Sequence, residues 1–100
     1  METTLVNLHY YKNRDVVYID RRNRLLGNRH RIGLNCTRKQ AVERFRKDFN
    51  KRIKKNRKFR KAVENLKGKK IACWCTPLLC HGDIYIKYLR NIKTYLEALH

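Results

Sequence analysis

Proline occurs once and glycine four times in these 100 residues, and acidic side chains number eight. So little proline and glycine leaves no low-complexity linker in the chain. No stretch approaches the roughly 18 consecutive apolar residues of a membrane-spanning helix, and an anionic membrane surface is a weaker partner than nucleic acid because the basic segments also supply a core face, so no membrane is expected. Met1-Glu2-Thr3-Thr4 is not a basic segment leading into an apolar one. The expected location is therefore the cytoplasm, or the nucleus of a host that has one, and not outside the cell. In that reducing setting the four cysteines are expected as thiols, for metal binding, catalysis or burial rather than disulfides. A P-loop, a dinucleotide fingerprint, a Ser-His-Asp arrangement and the H-x-E…P-C-x-x-C pattern of zinc deaminases are all missing. Finger spacing, an RNP1 sequence and a heptad zipper are missing too, so sequence-specific base reading is not expected.

What is abundant is positive charge: 26 Lys and Arg, a formal net charge of +18 and a pI near 10.3. Such a chain repels itself when compact and is drawn to dense negative charge. Nucleic acid or a nucleotide is the leading expected partner, and an acidic protein is a weaker one. The hydrophobic share, 42%, is that of an ordinary globular fold, and the length suits a single domain over residues 1–100.

Alternation and β-branching place strands over residues 3–9 and 15–20, with the 10–14 linker short enough for an antiparallel hairpin. Residues 21–35 show no period and read as an irregular loop. Thr37-Arg38-Lys39-Gln40 matches a capping box, and the helix behind it carries one apolar stripe of Ala41, Val42, Phe45, Phe49 and Ile53. After a break near Asn56, Phe59, Val63 and Leu66 continue a helical pattern up to a stop at Gly68. Ile71-Ala72-Cys73-Trp74-Cys75 is the best central strand, ended by Pro77. Tyr85, Tyr88, Leu89, Ile92, Tyr95, Leu96 and Leu99 then repeat at helical spacing. The expected fold is α/β (or α+β), in the order β-β-α-α-β-α, a three-stranded sheet packed with helices.

The segment Cys73-Trp74-Cys75-Thr76-Pro77-Leu78-Leu79-Cys80-His81-Gly82-Asp83 carries most of the chemistry. On a strand, period two puts both sulfurs of Cys73 and Cys75 on one face. Cys80 and His81 fall at a helix start, where free N–H groups favour a thiolate or an anion. Three readings stay open. Cys73, Cys75, Cys80 and His81 match the tetrahedral Cys₃His donor count for zinc, although not its usual spacing. Alternatively Cys80 is a nucleophile with His81 or Asp83 as proton partner. In the third reading the cysteines are small buried hydrophobes and His81-Gly82-Asp83 caps the helix.

This segment, with Val17-Tyr18-Ile19, Arg21, Gly27-Asn28 and Ile32-Gly33 before it, resembles the domain-of-unknown-function 4326 family. Members of that family, from phages, bacteria and large viruses, show a VYIGR…GNPF.IG half and an ACWCxPxxCHGD half. The resemblance spans residues 16–89. It implies that Gly27, Asn28, Cys73, Cys75, Cys80, His81 and Asp83 belong to one motif, and it implies no activity. Asp20 stands where the family has glycine, and Arg29 where it has proline.

Arg21, Arg22, Arg24, Gly27, Asn28 and Arg29 form an expected phosphate- or ligand-binding loop, because guanidinium forks suit phosphate oxygens. Gly27-Asn28 is read there either as a turn with positive φ that brings the backbone close to a ligand or as a tight turn of a solvated loop. Residues 38–61 hold 13 Lys or Arg against Glu43 and Asp48, too few acids to neutralise the helix face. Arg44, Lys47, Lys51, Lys54, Lys55 and Lys58 are accordingly expected to meet nucleic-acid phosphates. Two functions compete: a nucleic-acid- or nucleotide-binding domain with a structural metal, and a thiol enzyme acting on a nucleotide or base. The enzyme reading expects a pocket between the Gly27-Asn28 loop and the Cys80 helix start.

Overall fold

The computed structural model describes residues 2–30, 32–33, 35–76 and 78–92. Three strands and three helices follow in the expected order: β1 (Thr4–Asn7), β2 (Val16–Tyr18), α1 (Arg38–Lys55), α2 (Arg57–Glu64), β3 (Lys70–Cys73) and α3 (Gly82–Arg90). Pro77 and the C-terminal Tyr95, Leu96 and Leu99 lie outside the described residues.

β3 is central. The sheet order is β1-β3-β2, and both outer strands run parallel to β3, with Leu5 and Val17 in register with Ile71 from either side. Ile71, Ala72 and Cys73 are buried, as an unbroken apolar run implies for a strand covered on both faces.

The antiparallel hairpin between β1 and β2 does not form. Those strands do not pair with each other, because the apolar β3 takes the place between them and needs a ladder on each edge. Residues 8–15 instead carry the chain back past β3. Fully extended, such a segment reaches about 26 Å, enough to recross a strand and two strand spacings.

The helices form where local chemistry starts and stops them. Thr37 accepts from the Gln40 N–H at 3.1 Å while the Gln40 side chain accepts from the Thr37 N–H at 2.9 Å, the reciprocal capping box. Asn56 both ends α1 and caps α2, its side chain accepting from the Phe59 N–H at 3.0 Å. Gly68 has φ 78°, the one positive φ among the described residues. The stripe of α1 packs Phe45 and Phe49 edge-on against Tyr85, and Phe49 against Phe59 and Tyr88. Burying one such ring is worth about 1.5–3 kcal/mol. Tyr85 and Tyr88 are therefore core residues.

Candidate functional site

A cleft of about 390 Å³ opens at the C-terminal end of β3 and beside the end of β2. Parallel sheets commonly hold ligands at this end of their strands. Asp20, Arg21, Arg22, Asn28, His30 and Ile32 form one wall. Arg38, Ala41 and Val42 at the start of α1 form the second, and Cys73, Trp74, Cys75, Leu79, Cys80 and His81 the third. The two halves of the motif, far apart in sequence, thus face one space.

The loop after β2 is built around Asn23, whose side chain donates to the Tyr18 carbonyl and accepts from the N–H groups of Leu25 and Leu26. Asn28 docks it onto α1 by donating to the Ala41 carbonyl at 3.2 Å. Gly27 does not have a positive φ. It is needed for space: a Cβ there would sit 2.7 Å from the carbonyl oxygens of both Asp20 and Asn23. Asp20 ties the motif's halves together. Its carboxylate accepts from the Arg22 Nε at 3.0 Å and from the Trp74 indole at 3.0 Å. The Arg22 guanidinium also lies 3.9 Å over the Tyr18 ring.

The cluster at the cleft floor is tight and buried. Cys80 donates to the Cys73 sulfur at 3.2 Å, and its own sulfur accepts from the Gly82 N–H at 3.4 Å. The Nε2 of His81 lies 2.7 Å from the Ile19 carbonyl, which only accepts, so Nε2 carries the proton. Nδ1 is left as the acceptor, 3.6 Å from the Cys80 sulfur. Burial pushes the His81 pKa down and keeps the ring neutral. The hydrogen bond from Cys80, helped by the backbone N–H groups of Thr76 and Cys75, pulls the Cys73 thiol down to about 6. Cys80 is pushed up, first by donating to Cys73 and then by burial. The pair thus gives up one proton readily and holds the second.

Asp83 does not line the cleft; its carboxylate accepts from the Cys80 N–H at 3.0 Å and caps the turn into α3. β3 ends at Cys73, and Cys75 lies beyond it, part-buried, with Trp74 exposed between them. Among the described residues, no group of three or more His, Cys, Asp or Glu is arranged to hold a metal ion. Cys36 is buried away from the cleft, its thiol on the Thr37 carbonyl. Gly27, Arg24 and Arg29 are not in the lining, and Arg44, Lys47, Lys51, Lys54, Lys55 and Lys58 are exposed on α1 and α2. Sequence reasoning missed Arg38, counted only as one helix cation, and His30, whose Nε2 donates to Asp48 at 2.7 Å.

The model of the family described as Domain of unknown function (DUF4326) matches residues 6–91. The chain is similar to an uncharacterized 12.4 kDa protein in the nrdA-td intergenic region of Enterobacteria phage T4, 44% identical over 48 residues. That alignment covers 48% of this chain and 44% of the phage protein, less than half of either. No solved structure matches. With the match running from residue 6 to residue 91, most of its length, the chain belongs to the DUF4326 family.

Proposed function

We propose that the domain binds a nucleotide, free or as one unit of a nucleic-acid strand, in the cleft at the end of β3. The observation that carries this reading is the convergence of three arginines from two separate segments, Arg21, Arg22 and Arg38, beside an exposed tryptophan. Guanidinium groups suit phosphate oxygens, and an indole face suits a base. Arg22 is already paired with Asp20, so Arg21 and Arg38 supply most of the uncompensated charge. Ile32 and Leu79, 51% and 46% exposed, add apolar surface that bare phosphate would not use. The cations along α1 and α2 would take neighbouring phosphates of a longer strand.

Amide and indole NMR shifts during titration with nucleoside monophosphates test this. The reading expects saturable shifts at Trp74, Arg21, Arg22 and Arg38, and a loss of about ten-fold in affinity in Arg38→Ala. Shifts confined to α1 and α2, or none at saturating ligand, would refute it.

The acidified thiol favours a second reading, thiol-dependent chemistry on the bound nucleotide. Its nucleophile would be Cys73 rather than Cys80, because the backbone N–H groups of Thr76 and Cys75, together with the Cys80 thiol, favour a thiolate on Cys73. Turnover of a nucleotide abolished by Cys73→Ser in a folded variant would establish it. Unchanged turnover in that variant would end it.

A further inference from the structure

We propose that Cys73 and Cys80 form a reversible dithiol–disulfide couple that exchanges with small anionic disulfides entering the cleft. This does not depend on nucleotide binding. The two sulfurs lie 3.2 Å apart. Closing to the roughly 2.05 Å of a disulfide takes a shift of about 1 Å. Both backbones are anchored: the Cys73 carbonyl accepts from the Leu8 N–H at 2.8 Å, and the Cys80 N–H donates to Asp83 at 3.0 Å. The proximity is therefore built in on both sides. Each cysteine is only 1% exposed, yet both line the cleft, so a reagent reaches them through it. Arg21, Arg22 and Arg38 at the same cleft favour a negatively charged one.

Exchange runs in two steps. The Cys73 thiolate attacks one sulfur of a disulfide RSSR; a mixed Cys73–S–SR bond forms, the RS–SR bond breaks, and RS⁻ leaves. The departing RS⁻ takes the Cys80 proton, and the Cys80 sulfur attacks the Cys73 sulfur 3.2 Å away. The mixed bond breaks, a second RS⁻ leaves, and the Cys73–Cys80 bond forms. Two protein thiols are oxidised and one disulfide is reduced to two thiols.

The test treats the folded, nucleotide-free chain with glutathione disulfide, which is anionic, and with cystamine, which is cationic. Intact mass should fall by two hydrogens with no lasting adduct. Chymotryptic cleavage after Trp74 separates Cys73 from Cys75, so the linked fragments identify the pair. At low salt glutathione disulfide should react roughly ten-fold faster than cystamine, and high salt should close the gap. The doubly substituted Cys36→Ser, Cys75→Ser chain should lose the same two hydrogens. Cys80→Ser should hold a stable glutathione adduct on Cys73; if it fails to fold, the double variant decides. A lasting adduct on the native chain, a link through Cys75, no reaction, or cystamine as the faster reagent would overturn the proposal. None of these results bears on nucleotide shifts in the reduced protein, so the two readings fail separately.

Discussion

The cations around the cleft and those on the outer faces of α1 and α2 carry the same charge in different settings. Arg21, Arg22 and Arg38 come from separate segments and meet around Trp74. Arg22 is held by Asp20 and by the Tyr18 ring, and Arg38 reaches the Leu79 carbonyl at 3.4 Å. Arg44, Lys47, Lys51, Lys54, Lys55 and Lys58 follow one another along the helices and are all exposed. The first set can position one ligand. The second makes a field that strengthens with chain length of the polyanion and weakens with salt. Net charge reports mainly the second; only the fold reports the first.

The most disruptive way to separate the two is Gly27→Ala. Its methyl would press on two carbonyl oxygens at 2.7 Å, costing about 1–3 kcal/mol by denaturant melt. Mononucleotide binding should be lost with the loop, while oligonucleotide binding through the helices persists below the melting midpoint. Loss of both together would mean that the two surfaces are one.

Replacing Arg44, Lys47 and Lys51 by Gln should do the reverse. Affinity for a single-stranded oligonucleotide at low salt should fall by one to two orders of magnitude, with the log–log salt slope reduced by about 0.7 for each phosphate no longer neutralised. Mononucleotide affinity should not move. Anisotropy at several salt concentrations measures both.

The thiol pair adds a pH signature at the cleft alone. Cys73 titrates near 6 when folded, below the roughly 8.5 of a free thiol, so the unfolded chain binds more protons between these values. Stability should rise with pH across that window and be lost as pH falls through about 6. Buried His81, also depressed, adds loss in the same direction below about 6.5. Above about 8.5 the raised Cys80 reverses the slope, because the folded pair then keeps a proton the unfolded chain releases. Urea midpoints against pH, with thiolate absorbance in parallel, check this; a flat profile from 6 to 8.5 would contradict it. Thr37→Ala, which removes the cap of α1 beside Arg38, should cost about 1 kcal/mol and change mononucleotide affinity least of all.

The parts of the molecule legible in the sequence are those with local causes. The Thr37 and Asn56 caps, the stripe of α1 and the apolar β3 each follow from neighbours within a few residues. The hairpin reading failed because strand pairing was settled by β3, more than 50 residues downstream of β2. Asp20 with Trp74, separated by 54 positions, and His30 with Asp48, separated by 18, left no local periodicity to read. Of the expected pocket between the Gly27-Asn28 loop and the Cys80 helix start, Asn28 and Cys80 line the cleft and Gly27 does not. Arg38 was hidden inside a run of similar charges, and only its place at the first turn of α1 distinguishes it.

Trp74 is the only tryptophan, exposed and on the cleft, so its fluorescence tests the central claim most directly. Nucleoside monophosphates should change its emission saturably in the native chain, with saturation lost in Arg21→Ala, Arg38→Ala. Emission unmoved by any nucleotide, or changed equally by inorganic phosphate and in the double variant, would contradict a nucleotide site in this cleft.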